Sequence, residues 1–179
     1  MNPGGELDQL NLIHTIEELL AHSLTLETEA AEHYDEIAHN MAVHNNQDVA
    51  EVFTKLASYA RLHAAEMETL AEGKALPVIK PWDFKWPQDA SPESVDDMGL
   101  HYLMTPHQAL TVARKVEYAA MQFYGSVAET SPDPEVRKLA LEFSEEEKGH
   151  VALLDEWIVH YPPPEDGWDE DPDPAHMPE

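Results

Sequence analysis

Glu147 and His150 stand three residues apart, a spacing that puts a carboxylate and an imidazole on one helical face about one turn from each other, where both reach a single metal ion. The spacing by itself is weak evidence, because 23 Glu and 11 His among 179 residues produce about one Glu-x-x-His by chance. A second instance, Glu36 with His39, reads as solvated surface. The apolar setting sets Glu147 and His150 apart, since they lie between Phe143 and Leu154 on a periodic apolar stripe. Two more acids share such a setting: Glu27 follows Leu20 and Leu24 and precedes Tyr34, and Glu117 follows Leu110 and precedes Tyr124. Burying an isolated carboxylate is costly unless it is paired or coordinates a metal. Three carboxylates aimed at a common axis therefore predict a cation. Oxygen and nitrogen donors in a dry interior suit Fe²⁺ or Mn²⁺, and open coordination positions would admit O₂ or H₂O₂, so the expected chemistry is redox.

Prolines mark the elements that must position these residues, because a proline inside a helix removes a hydrogen bond and clashes with the preceding turn. None lies between Gly4 and Leu76, and the rest fall in clusters around 77–106, 132–134 and from Pro162 onward. The first interval is too long for one helix and breaks at Asn45 and Asn46, giving helices at about 15–44 and 47–72, the first with Thr15 and Glu18 at capping-box spacing. Gly73 is a natural stop. Thr105, Pro106 and Gln108 open a third helix that runs to about 130, and Asp133 with Pro134 opens a fourth that ends near His160. Three- and four-residue steps support both members of the second kind: Val49, Phe53, Leu56, Ala60, His63 and Met67 in one, Val136, Leu139, Phe143, Glu147, His150 and Leu154 in the other.

The expected fold is all-α, a four-helix bundle over 15–161 with a long crossover between helices two and three. An N-terminal segment, 1–14, precedes it, and an acidic proline-rich tail, 162–179, follows. The crossover, about 74–104, is too long for a structureless loop and should run along the bundle, pinned by Trp82, Phe84 and Trp86. The tail cannot bury enough apolar surface to fold alone. Helices one and three repeat at a shift of 90 residues, aligning Glu27, Ala30, Tyr34 and Ile37 with Glu117, Ala120, Tyr124 and Val127. Helices two and four repeat more loosely at a shift of 87, aligning His63 with His150.

Composition excludes other classes. Thirty-six Asp and Glu against ten Lys and Arg give a net charge of −26, a field that repels phosphate backbones and anionic membrane surfaces. Neither nucleic acid nor membrane is an expected partner. No cysteine is present, which removes disulfides, iron-sulfur clusters, thiolate zinc and thiol catalysis. With no leader-like N-terminus and no long apolar run, a cytoplasmic location is expected.

The pattern resembles the rubrerythrin branch of the ferritin-like superfamily, in which two helices each give one Glu and two give Glu-x-x-His to a dinuclear iron site. The local matches are Glu117-x-x-Ala-x-x-Phe-Tyr and Phe143-Ser-Glu-Glu-Glu147-Lys-Gly-His150. This resemblance implies that Glu27, His63, Glu117, Glu147 and His150 are ligands of two iron ions, with Mn the other candidate. It also implies that Glu27 and Glu117 bridge, and that Glu27, Glu117 and Glu147 take part in catalysis. One family position differs: Ala60 stands three before His63 where the pattern has Glu, and Glu66, a water or a single tight metal are the ways to accommodate it. The rubredoxin-like domain is absent, so electrons come from an external donor or from substrate iron. The implied function is a non-haem diiron oxidoreductase that reduces peroxide or oxidises Fe²⁺, with iron storage, delivery or assembly without turnover as the alternative. Pairing along exposed helix faces would give a homodimer. Tyr34 and Tyr124 read as core aromatics, and His33, His39, His44 and the other histidines as surface.

Overall fold

The computed structural model describes residues 12–86, 91–92 and 100–170. The expectations for the rest of the N-terminal segment, the middle of the crossover and the end of the tail lie outside the described residues. Four long helices make the fold: α1 (Ile16–Val43), α2 (Gln47–Leu70), α3 (Pro106–Thr130) and α4 (Pro134–Ile158), with a single 3₁₀ turn at Pro81–Asp83 and no strand among the described residues. The protein is an all-α four-helix bundle. α1 packs along α2 and α3 along α4, and lighter contacts of α2 with α3 and α1 with α4 join the two pairs.

Local chemistry sets the helix ends. The Thr105 hydroxyl accepts from the Gln108 backbone N–H, and the Gln108 carboxamide accepts from the Thr105 N–H at 2.9 Å, a complete capping box. The α1 box is shifted by one residue: Thr15 Oγ1 accepts from Glu18 N at 3.1 Å, but the Glu18 carboxylate takes the N–H of His14 at 2.9 Å. Asp133 accepts from the N–H groups of Glu135 and Val136 ahead of α4. Between α1 and α2, Asn45 takes the left-handed conformation (φ 61°) that Asn tolerates better than most residues. Asn46 caps α2 and also donates from Nδ2 to the carbonyls of Tyr102 (3.0 Å) and Met104 (2.7 Å). One side chain thus ties the start of α2 to the chain leading into α3.

The crossover is pinned differently from the sequence expectation. Trp86 is buried and Phe84 packs against the core, but Trp82 is 77% exposed, with Lys80 over its ring. Their receptor is His22, fully buried and edge-on to both Phe84 and Trp86. Its Nδ1 lies 2.8 Å from the Glu18 carbonyl, and its Nε2 accepts from Lys85 N at 3.1 Å. Those partners require a neutral ring protonated at Nδ1. His22 therefore departs from the expectation of a surface histidine. The Lys85 ammonium is held by the Glu18 carboxylate and the Leu12 carbonyl. In the described part of the tail, Trp168 packs against the core and stands edge-on to His101.

Replacing Asn46 by Ala removes a helix cap and two long-range hydrogen bonds, and should lower stability by about 2–3 kcal/mol. Asn46→Asp keeps the cap but loses both donors, and chemical denaturation should place it between the two. Burial holds the His22 pKa below 6.5, against the opposing pull of the Glu18 carbonyl and carboxylate. Between that lowered pKa and 6.5 the unfolded chain binds a proton that the folded chain refuses. The stability from neutral His22 is thus complete above pH 6.5 and lost as the pH falls. Melting curves from about pH 8 to about pH 5.5 should show a steeper acid loss for wild type than for His22→Gln.

Candidate metal centre

Each helix passes from one apolar cluster to another at the same level of the bundle. On α1 the change falls between Leu26 and Ala30, on α2 between Met67 and Ala60, on α3 between Ala120 and Val116, and on α4 between Phe143 and Leu154. Glu27, His63, Glu117, Glu147 and His150 occupy those four gaps. They form a polar layer between two dry cores, built by sequence periodicity alone: each ligand candidate sits on its helix's apolar stripe where the next apolar residue would have been.

Within the layer, His150 Nδ1 lies 3.0 Å from Glu147 Oε2 and 3.2 Å from Glu117 Oε2. One ligand atom from each of these three residues falls within 4.8 Å of the others, close enough to share one ion. His63 Nδ1 lies 3.5 Å from Glu27 Oε2. The two imidazoles link the halves, stacked face to face with centroids 4.5 Å apart and planes 7° from parallel. Glu27 and Glu147 are about 5% exposed or less, and the Glu117 side chain 15%. Among the described residues no Lys or Arg pairs with any of the three carboxylates.

Protonation compensates for that crowding. Burial pushes the Glu147 carboxyl well above the usual carboxylate range, and the nearby Glu117 charge pushes the same way. Glu27 is also raised by burial, with His63 opposing. Burial would raise Glu117 too, but hydrogen bonds from His150 and Glu147 outweigh it and hold Glu117 low. Burial alone would lower His150, yet Glu117 and Glu147 carry it to about 10. His63 is raised against the same burial by Glu27. These shifts favour protons where a cation would serve the same electrostatic purpose, and metal binding displaces such protons. Three buried carboxylates and two imidazoles, without a cationic side chain among them, fit a divalent oxygen- and nitrogen-preferring ion.

Ala60 is buried and lines a cavity of about 240 Å³ against the layer, together with Glu27, His63, Glu117 and His150. Glu66 does not replace the carboxylate absent there. It is exposed and faces a separate groove with Glu142, Glu145 and Glu146. Tyr34 is buried on the cavity wall, and Tyr124 is buried against Phe123 and Phe143. His39 and His44 are exposed as expected, and His33 is half-buried. His22 is the functional-looking histidine that sequence reasoning passed over, and its role is structural. The only signal for it is its place one turn before Leu26 on the apolar stripe.

No family model matches the chain, and no curated protein matches it. Among solved structures it is similar to the crystal structure of COG1633, an uncharacterized conserved protein from Magnetospirillum magnetotacticum MS-1, with 41% identity over 85% of this chain and 99% of that one and a TM-score of 0.65. No described helix is long and apolar enough to cross a membrane.

Buried carboxylates with neither a metal nor a basic side chain beside them cost folding stability. Glu147→Met, which keeps the volume and removes a buried carboxyl held well above its usual range, should raise the melting temperature of metal-free protein, by an amount equivalent to about 1–3 kcal/mol. The same variant should abolish the stabilisation that Fe²⁺ or Mn²⁺ confers on wild type. Scanning calorimetry with and without metal checks both halves.

Proposed function

The chain belongs to the family of the conserved protein COG1633, and from that premise and the geometry of the layer we propose that it is an iron-binding ferritin-like protein acting as a non-haem diiron oxidoreductase. Its reaction is the reduction of peroxide or the oxidation of Fe²⁺ by O₂ or H₂O₂. The observation that carries this reading is the convergence of all five candidate donors, from four helices, into one buried layer. Glu27, His63, Glu117, Glu147 and His150 would hold two ions.

When bound, iron supplies the electrons and the open coordination positions that peroxide or oxygen chemistry needs. The chain's own residues supply the rest. Apolar side chains above and below the layer exclude bulk water and strengthen each charge interaction within it. His150, with its Nδ1 between two carboxylate oxygens, fixes the orientation of Glu117 and Glu147. Glu147, whose carboxyl burial pushes well above the usual carboxylate range, is placed to release and recover a proton as the charge of the layer changes. The cavity at Ala60 gives a small oxidant a path to the donors. With no cysteine in the sequence, reducing equivalents come from an external donor or from substrate Fe²⁺.

Storage or delivery of iron without turnover is the second reading, favoured by Ala60, which leaves one ion short of a carboxylate. Anaerobic Fe²⁺ loading followed by desalting should leave about two irons per wild-type chain and fewer in Glu147→Ala. Added H₂O₂ should then oxidise the bound iron rapidly and repeatedly when a reductant is supplied. Stoichiometric loading with a single slow oxidation would favour storage, and no retained iron in a folded protein would dismiss both.

A further inference from the structure

The cavity beside the layer has a composition that oxygen or peroxide does not need. Away from the donors its wall is Tyr34, Leu56, Tyr59, Leu153, Leu154 and Trp157, so it is an apolar chamber with one polar end. Its volume is about 240 Å³, whereas an apolar cavity of about 150 Å³ already takes up benzene. A phenyl ring or a short aliphatic chain fits with room for a small polar head. Leu153 is 40% exposed, and Tyr59 and Trp157 are half-buried, with ring centroids 6.3 Å apart. These side chains form the outer end, so a molecule enters from solvent between α2 and α4. No Cα of α2 comes within 8 Å of a Cα of α4, and side chains alone close the gap.

With two Fe²⁺ ions bound as proposed above, the polar end would be short of one negative charge, because Glu27, Glu117 and Glu147 bring three against four positive ones. The shortage has a place: Ala60 lies one turn before His63 on the cavity wall, and its methyl side chain leaves space where a longer side chain would meet the layer. We infer that this cavity is a binding pocket for a small apolar monocarboxylate, whose carboxylate fills the notch at Ala60 beside His63 while its aromatic or aliphatic body lies against Leu56, Leu153 and Trp157. The inference rests on the two-ion reading proposed above. It adds to that reading an organic ligand that completes the charge of the centre and occupies the route to it.

Isothermal calorimetry on anaerobically Fe²⁺-loaded protein tests this with benzoate as probe. Acetate, which lacks the body, and benzamide, which lacks the charge, are the controls. Benzoate should bind about tenfold or more tighter than either control, since an apolar body and a charge each contribute roughly that much. Ala60→Glu, which puts an internal carboxylate into the notch, should keep its iron and lose benzoate binding. Leu153→Trp, a substitution at an exposed position that narrows the mouth, should weaken benzoate binding with iron content unchanged. Equal binding of benzoate and acetate, equal binding of benzoate and benzamide, or undiminished benzoate affinity in Ala60→Glu would each overturn the pocket while leaving the diiron reading in place. Wild-type protein that retains no iron would remove both.

Discussion

Three carboxylates buried at one level of a helical bundle, with no lysine or arginine among the described residues to pair them, are the constraint on which this structure depends. Coulomb repulsion among like charges in a low-dielectric interior is large, and only protons or a cation can relieve it. Without metal the layer favours protons: burial raises the Glu147 carboxyl, and the neighbouring carboxylates raise both imidazoles. Such an arrangement spends folding stability on a polar layer that an apolar one would not require. The scaffold must therefore find its stability elsewhere.

It finds that stability in two places. The layer splits the core into two clusters, one built around Tyr34, Phe53, Leu56 and Leu110, the other around Leu20, Phe123, Tyr124 and Phe143. Each is dry and supplies hydrophobic burial independently of the site. Capped helix ends and buried anchors then fix the registers that align the donors. Asn46 ties α2 to the chain before α3, and His22 binds the crossover through edge-on contacts with Phe84 and Trp86 and through Nε2, while its Nδ1 bonds the Glu18 carbonyl of α1. A slip of one residue in any helix would turn a donor by about 100° and break the layer.

Much of this was legible in the sequence because it is written in local chemistry. Proline positions, the Thr105–Gln108 box and the Asn45–Asn46 break bounded all four helices to within two residues of where they lie. Helical periodicity put the five candidate ligands on inward faces, and the 90-residue repeat linked Glu27 to Glu117. What was not legible depends on side chains meeting across the fold. His22 looked like any other histidine until Phe84, Trp86 and Lys85 arrived from the crossover to surround it. Trp82, Phe84 and Trp86 alternate in sequence, yet a 3₁₀ turn at Pro81–Asp83 leaves Trp82 in solvent. The cavity at Ala60 could not be read from a missing glutamate, because its walls come from all four helices.

The central claim is that the layer is one metal centre formed by all four helices. Anomalous diffraction from crystals soaked anaerobically in Fe²⁺ tests it most directly. Iron peaks should appear within the layer, one beside Glu117, Glu147 and His150 and one beside Glu27 and His63. Iron found only in the exposed groove of Glu66, Glu142, Glu145 and Glu146, with the layer empty, would contradict it.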